Sequence, residues 1–328
     1  MNSSAAQLHK NSIIIDGLNA SYFKDEEVLQ NLHRGGVTAV NATIAAWHNY
    51  DATMQMLDDV QAVIEKNSSY IMQIKNIADI ETAKKSDKTG LILGFQDTSP
   101  MENKLDLLEK YHGLGIRIIQ LTYNTQNLVG CGCLAPEDSG VSDFGREAIH
   151  EMNRLGILID LSHCGPQTTL DGIRLSQKPV AITHTDPAAR VQQPRNKSDE
   201  TLLALKEKGG VVGAMAFPLT LIGKPKATLD DYLNVIDYFV KLMGIDQVGL
   251  GADFMEKMPN DIKKQVLKDI PLKDLAKLLR VKPVKNLESV ADLANVTAGL
   301  LERDYSEDDT QKIIGKNWLR LYHNVWQS

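Results

Sequence analysis

The apolar residues of this chain fall into short, nearly continuous runs rich in β-branched side chains, and longer segments with helical spacing lie between them. The runs show little polar–apolar alternation, which is typical of strands buried on both faces of a parallel sheet. The pattern predicts eight strands, at residues 12–16, 37–44, 91–95, 116–121, 157–161, 180–183, 210–215 and 247–251.

Helical periodicity follows the strands, for example at residues 104–112, 145–155, 201–208 and 229–243. The second of these helices is predicted to begin after Ser142 and to end at Gly156. Eight strand–helix units are typical of a (β/α)8 TIM barrel, here in a single domain of residues 1–328. A doubly wound open sheet is the alternative, but no glycine-rich phosphate-binding turn follows the first strand.

About 75 residues remain after the eighth predicted strand, and two helices are predicted within them, at residues 289–301 and 308–322. Ser306 and Asp309 form a plausible capping box before the second helix. We expect these C-terminal helices to cover the flank or the base of the barrel.

Composition narrows the choice of partner and location. The net charge of −6 argues against nucleic acid or an anionic membrane as a partner. No apolar run approaches the roughly 18 residues of a membrane span, and the first twelve residues lack the apolar stretch of a signal peptide. Three cysteines with poor disulfide spacing fit a reducing compartment. We therefore expect a cytoplasmic protein that binds a small molecule, and we leave a homodimer open.

Candidate chemistry lies at the ends of the predicted strands, because catalytic side chains of a barrel come from the C-terminal ends of several strands. Histidines follow two consecutive strands, in "LIDLSHCG" and "AITHTDP", and would point into one pocket, where imidazole nitrogens can hold zinc. A single strand-end histidine is more often a structural hydrogen bonder. The strand-end residues, in order, are Asp16, Gln96, Tyr123, His163, His184 and Asp253.

Several segments of the chain resemble the membrane (renal) dipeptidase family, metallopeptidases of the amidohydrolase-type barrel superfamily. These segments are "IIIDGLN", "LILGFQD", "LGIRIIQLTYNTQN", "LIDLSHCG", "AITHTDPAARVQQPRNKSDE", "GIDQVGLGADF" and "IIGKNWLRLY". His163, His184 and Arg195, at intervals of 21 and 11, match the family's two histidines and arginine. The resemblance implies two zinc ions, a bridging carboxylate, an arginine that holds the substrate carboxylate, and a strand-eight aspartate that moves a proton.

The same resemblance identifies what this chain lacks. Leu18 and Ala20 stand where the family has the histidine and second aspartate of its Asp-Gly-His-x-Asp motif, and neither can bind a metal. Gln96 replaces the bridging glutamate, and Tyr123 replaces a histidine linked to the tetrahedral intermediate. The first metal site is therefore predicted to be lost, which leaves a single zinc ion held by His163, His184 and, weakly, by the amide oxygen of Gln96.

Four further roles complete the predicted site. Asp253 would serve as base and then acid, and the Tyr123 phenol would hydrogen-bond developing negative charge. Arg195 would bind a substrate carboxylate with its planar guanidinium, the alternative being a surface arginine in a polar loop. Asn127 would contact the substrate, the alternative being a turn residue.

Two functions remain open at this stage. The first is a mononuclear metal-dependent hydrolase that cleaves an amide-type bond in a small carboxylate-bearing substrate, such as a dipeptide or a modified amino acid. The second is a non-catalytic relative that kept the barrel, binds a small ligand and lost both metals.

Overall fold

Eight parallel strands pair around a closed ring in the computed structural model, which describes residues 3–268, 270 and 272–326. The ring closes where β2 pairs with β4, with Val40 beside Leu91. This closure confirms the predicted (β/α)8 barrel and excludes the open sheet; residues 1, 2, 269, 271, 327 and 328 of the predicted domain lie outside the described part. The strands are Ile15–Asn19 (β1), Ala39–Ala45 (β2), Ile71–Gln73 (β3), Thr89–Phe95 (β4), Ile116–Gln120 (β5), Leu158–Asp160 (β6), Ala181–Thr185 (β7), Val211–Ala214 (β8) and Val248–Leu250 (β9).

Strand β3 was not predicted and is not part of the ring. Among the described residues it pairs only with the start of β4, where Ile71 lies beside Thr89. A three-residue strand with a single neighbour leaves little periodic pattern in the sequence, and the other eight strands overlap the eight predicted runs.

Helices fill the connections between the strands and begin and end at the residues that favour such termini. Helix α6 begins after Ser142, whose side chain accepts a hydrogen bond from the Gly145 N–H, and it ends at Gly156 in the left-handed region, as predicted. The helices are Ser3–Asn11 (α1), Glu26–Arg34 (α2), Tyr50–Lys66 (α3), Ile77–Lys85 (α4), Asp106–Leu114 (α5), Asp143–Leu155 (α6), Pro166–Leu175 (α7), Asp199–Glu207 (α8), Pro218–Leu221 (α9), Leu229–Met243 (α10), Asn260–Leu267 (α11), Leu272–Leu278 (α12), Leu293–Glu302 (α13), Glu307–Gln311 (α14) and Asn317–Val325 (α15).

The floor of the barrel is made by the C-terminal helix. Trp318, Tyr322 and Trp326 follow one another at intervals of four residues, and their rings stack with centroids 6.1 and 4.4 Å apart. The indole N–H of Trp318 donates to the Leu250 carbonyl at 2.8 Å. The helix therefore covers the base, as expected. The aromatic residues pack with one apolar residue from each of seven barrel strands: Ile15, Ala39, Ile92, Ile118, Leu158, Ala181 and Val211.

Among the described residues, no helix has both the length and the apolar character that a membrane crossing requires.

We expect Gly249→Ala to destabilise the fold by about 1–3 kcal/mol, the usual cost of overpacking a core. A Cβ at this position would lie 2.4 Å from the indole nitrogen of Trp318, so the ring would have to move. Urea unfolding measures the change. Gly113→Ala is the control, because its Cβ would meet nothing within 4 Å, and alanine in helix α5 should add about 0.5–1 kcal/mol. Equal stability of Gly249→Ala and the parent chain would contradict this packing of Trp318.

Candidate metal and catalytic site

Two histidines meet at the C-terminal end of the barrel. His163 follows β6, and His184 lies in the next barrel strand, β7. Their Nε2 atoms are 3.0 Å apart, and both side chains are buried, with 7% and 0% of their surface exposed. The fold thus brings together the pair that the sequence predicted to share a pocket.

The hydrogen bonds behind the two rings determine which ring nitrogens carry protons. His163 Nδ1 lies 2.7 Å from Asn124 Oδ1, an acceptor. His184 Nδ1 lies 2.8 Å from Thr183 Oγ1, and this hydroxyl donates its hydrogen to Asp160 Oδ2 at 2.6 Å. The Thr183 oxygen must therefore accept from His184. This pattern of partners favours the tautomers with the hydrogen on Nδ1, in which the two Nε2 atoms present lone pairs to each other.

The electrostatic surroundings keep both rings neutral. Burial, followed by the nearby charge of Arg195, holds the pKa of His163 and of His184 well below the ordinary value of 6.5. Two facing lone pairs repel unless a cation lies between them. Imidazole nitrogens bound to one zinc at about 2.0–2.1 Å are roughly 3.3 Å apart at a tetrahedral angle. The pair therefore fits a single metal ion.

Beyond the two histidines, the site offers few side chains that could bind a metal. Leu18 is apolar and only 2% exposed, and the described part of the chain contains no group of three or more His, Cys, Asp or Glu that could hold a metal. Gln96 is buried, and its NH2 donates to Thr43 Oγ1 at 2.7 Å, which leaves Oε1 as the oxygen it can offer. The residues fit an ion on two imidazoles and do not fit a second ion beside it.

Asp253 follows β9 in an unusual backbone conformation. Its φ is 58°, in the left-handed region that a non-glycine residue seldom adopts, and its N–H donates to the Leu18 carbonyl at 3.2 Å. Burial raises the pKa of Asp253 to about 7, while the charge of Arg195 opposes that increase. A carboxyl group with a pKa near neutrality can both accept and return a proton.

Arg195 is fixed beside the histidines by two backbone carbonyls. Nη1 donates to Ser162 O at 2.7 Å, and Nη2 donates to His184 O at 2.8 Å. The guanidinium is half-buried, and the second N–H of each terminal nitrogen remains, with Nε–H, for a further acceptor. Arg195 is thus held in the site and is not a freely moving surface side chain.

Aromatic rings cover the face of His163. The Tyr123 ring stacks on the imidazole with centroids 4.0 Å apart and planes 19° apart. Trp47, from the loop after β2, meets Tyr123 edge-on at 4.6 Å. Trp47 was not identified from the sequence, where it reads as an ordinary apolar residue after a strand.

Asn124 and Asn127, in the loop after β5, make different contacts. Asn127 donates from Nδ2 to Asp97, Thr98 and Leu121, and its Oδ1 accepts from two backbone N–H groups. The predicted substrate contact of Asn127 is therefore not favoured, because the loop uses both ends of its amide. Asn124, with φ at 60°, contacts His163 instead.

The Cys131–Gly132–Cys133 segment is a loop that contacts both His163 and Asn124. Cys133 N donates to His163 O at 2.8 Å, and the Cys133 thiol donates to Asn124 Oδ1 at 3.5 Å. A Cβ on Gly132 would lie 2.2 Å from the Asn124 carbonyl carbon, so only glycine fits there. The chain's three cysteines are all free and buried.

A closed parallel barrel with a strand-end histidine pair defines the class, a barrel of the metal-dependent hydrolase type. A family model described as "Membrane dipeptidase (Peptidase family M19)" matches residues 3–274, and the chain belongs to that family. The predicted resemblance is confirmed.

Individual relatives agree with this assignment. The chain is 29% identical to Dipeptidase tcpJ of Claviceps purpurea over 276 residues, which cover 83% of this chain and 60% of the relative. It is 26% identical to Dipeptidase verJ of Clonostachys rogersoniana over 287 residues, 86% of this chain and 67% of the relative. The chain thus spans about 60–67% of the length of these two curated relatives.

Solved structures show the same fold. An amidohydrolase from Pseudomonas aeruginosa superposes with a TM-score of 0.94 and 36% identity, over 98% of this chain and 99% of that chain. The probable dipeptidase PvdM from the same organism superposes with a TM-score of 0.84 and 21% identity, over 98% and 97%.

A buried carboxyl lies two residues after His184. Asp186 is 0% exposed, and neither of its side-chain oxygens makes a hydrogen bond of good geometry among the described residues, although Thr220 and the Met215 backbone lie close enough to lower its pKa. Burial raises the pKa of Asp186 to about 8. Burial also raises the pKa of Asp16 to about 7, so the barrel holds more than one such group.

We expect Asp186→Asn to flatten part of the dependence of stability on pH. The folded-state pKa of about 8 exceeds the roughly 3.9 of an unfolded aspartate, so the folded chain holds this proton more tightly. Stability present at low pH is therefore lost as the pH rises from about 4 to about 8. The variant should be nearly as stable as the parent chain at or below about pH 4 and more stable above pH 8. Melting temperatures across this range test the prediction, with the exposed Asp58→Asn as control. Parallel curves for the parent and Asp186→Asn would contradict it.

Proposed function

We propose that this chain is a mononuclear metal-dependent hydrolase that cleaves an amide-type bond in a small carboxylate-bearing substrate, such as a dipeptide or a modified amino acid. The observation that carries the proposal is the pair of Nε2 atoms, 3.0 Å apart, on His163 and His184. Membership of a dipeptidase family supports the hydrolase class.

His163 and His184 would hold the ion, with Gln96 Oε1 as a weak third ligand. When bound, the ion would supply a positive charge that polarises the scissile carbonyl and increases the acidity of water. Zinc suits the imidazole ligands. Two neutral imidazoles and a neutral amide leave the charge of the ion undiminished, although the absence of a carboxylate ligand weakens binding.

The proton-transfer steps fall to Asp253. Its pKa of about 7 lets it take a proton from the attacking water and then give that proton to the leaving amine. Tyr123, stacked on His163, would donate a hydrogen bond to the negative charge that develops on the carbonyl oxygen.

Arg195 would bind the substrate carboxylate. The guanidinium is held next to both histidines by the carbonyls of Ser162 and His184, so its remaining N–H groups are pre-oriented. A rigid donor fork loses less entropy on binding than a free side chain.

Three further features belong to the same proposal: a cytoplasmic location, a small molecule as partner rather than nucleic acid or membrane, and a homodimer as one assembly to test. The free, buried cysteines support the reducing compartment.

A non-catalytic, ligand-binding barrel is the second candidate. It is favoured by the replacement of both first-site ligands by Leu18 and Ala20, and by the lack of a three-residue metal-binding group in the described chain. A protein that retains neither metal nor activity after purification without chelator would support it.

We expect elemental analysis of protein purified without chelator to find at most one tightly bound divalent ion per chain. His163→Ala and His184→Ala should lose it, because each removes one of the two imidazoles. Gln96→Glu should bind it more tightly, because a carboxylate replaces a neutral oxygen. Leu18→Met, a swap of similar volume, is the control and should retain the ion. Two ions per chain in the barrel mouth, or full occupancy in both histidine variants, would refute the assignment.

We expect small acids to bind better than their amides, for example N-acetylated amino acids compared with their carboxamides. A desolvated Arg–carboxylate contact is worth about 1.5–3 kcal/mol, or roughly ten- to a hundredfold in affinity. Arg195→Ala should remove the difference, and Arg195→Lys should recover part of it. Arg190→Ala, an exposed arginine in the same loop, is the matched control. Thermal shifts report binding, and equal shifts for acid and amide with the parent chain would exclude the proposed role of Arg195.

A further inference from the structure

The side chains behind His184 form a chain that ends on a buried carboxylate. Thr183 Oγ1 lies between His184 Nδ1, at 2.8 Å, and Asp160 Oδ2, at 2.6 Å. The other oxygen of Asp160 accepts from Ser162 N at 3.0 Å, Ser162 Oγ at 2.5 Å and Thr183 N at 2.9 Å. Burial raises the pKa of Asp160, and the hydrogen bonds from Ser162 and Thr183 oppose that increase. In its ionised form Asp160 accepts from all of these donors.

In an alternative arrangement the two imidazoles would hydrogen-bond to each other, and a metal ion could not bind between them. A separation of 3.0 Å between the Nε2 atoms is also the length of a hydrogen bond. If the proton of His184 moved from Nδ1 to Nε2, the ring would donate to His163 and the two histidines would pair with each other. The location of a single proton therefore decides whether the lone pairs are free.

The hydrogen bond from the Thr183 hydroxyl to Asp160 makes this alternative unfavourable. Only one hydroxyl hydrogen is available, and it points to Asp160 Oδ2, which has no other donor in the described structure. Turning that hydrogen towards His184 would leave an oxygen of a buried carboxylate unpaired, which is costly. Asn124 Oδ1 favours the hydrogen on His163 Nδ1 in the same way, because this oxygen can only accept, and it also accepts from the Cys133 thiol.

We propose that Thr183, oriented by Asp160, is a positioning residue that keeps the proton of His184 on Nδ1 and so prevents the two imidazoles from pairing with each other. Its consequence for metal affinity rests on the proposed function, whereas the position of the proton does not. Partners of this kind behind metal-binding histidines commonly change metal affinity 10- to 100-fold when they are removed.

The first measurement uses metal-free protein labelled with ¹⁵N, because two-bond ¹H–¹⁵N NMR spectra distinguish a protonated from an unprotonated ring nitrogen. The parent chain should show both histidines protonated at Nδ1. In Thr183→Val, which keeps the shape and removes the hydroxyl, the proton of His184 should move to Nε2. Thr183→Ser should restore the parent pattern.

The second measurement is the affinity for zinc by titration calorimetry. We expect Thr183→Val to bind about 10- to 100-fold more weakly than the parent chain, and Thr183→Ser to bind nearly as well. Thr89→Val is the matched control: Thr89 is also a fully buried threonine in a barrel strand, and its hydroxyl donates to the Val37 carbonyl at 2.8 Å. It should change neither the tautomer nor the affinity.

Asp160→Asn provides an independent test if Thr183→Val does not fold. Three donors point at Oδ1, so the amide oxygen should stay there and the new NH2 group should face Thr183. The hydroxyl hydrogen would then point to His184 Nδ1, which moves the ring proton to Nε2.

The outcomes separate the two proposals. His184 protonated at Nε2 in the parent chain, or at Nδ1 in both Thr183→Val and Asp160→Asn, would overturn the positioning role. A parent chain with the expected tautomers that binds no zinc would support this role and refute the proposed metal-dependent function.

Discussion

The site depends on one buried carboxylate, that of Asp160. The regular ladder between β6 and β7 has a single paired position, Asp160 beside Ala181, so these strand ends need other contacts. The carboxylate supplies them by accepting from Ser162, two residues after β6, and from Thr183 on the neighbouring strand. A buried charge is tolerable only when it is well hydrogen-bonded, and here the donors are the residues that precede His163 and His184. The fold thus stabilises a charge and sets the spacing of the histidines with the same contacts.

The barrel was predictable because its strands are buried on both faces, and continuous β-branched runs are the direct consequence of that burial. The secondary-structure elements that were not predicted are not buried in this way. Strand β3 is short and has one neighbour, and helix α11 buries none of its residues. The helix at the base of the barrel shows a second limit of prediction from sequence. The pattern around Trp318 predicts a helix, but the insertion of its ring between Gly17 and Gly249 depends on contacts far apart in sequence.

The site residues also divide into those that the sequence reveals and those that only the structure reveals. Strand-end histidines are recognisable because chemistry in a barrel collects at one face. Asp160 ends β6 and Thr183 lies within β7, and both were interpreted as part of the strand pattern, although a lone aspartate in an apolar run signals a buried hydrogen-bonded group. Asn124 and Asn127 are equivalent in sequence terms, since both belong to a polar loop. Only the backbone, which places Asn124 at a φ of 60° against Gly132, directs one towards His163 and the other into the loop.

The two halves of the predicted metal centre lie on different strands, so one half could be lost while the other is kept. The predicted first-site positions, Leu18 and Ala20, belong to β1 and the residue after it, where the backbone is held by the segment after β9: Ala20 N donates to Phe254 O, and Asp253 N donates to Leu18 O. The histidine pair is held by β6, β7 and the Cys133 loop, none of which contacts those two positions through a side-chain hydrogen bond in the described chain. Substitution on β1 therefore leaves the bracing of His163 and His184 intact. What changes is the charge: an apolar Leu18 and a neutral Gln96 leave a site with imidazoles, one fixed guanidinium and a carboxyl of pKa about 7. In the proposed function, such a site would favour a substrate whose own carboxylate contacts Arg195, because the protein supplies fewer negative charges of its own to compete for that guanidinium.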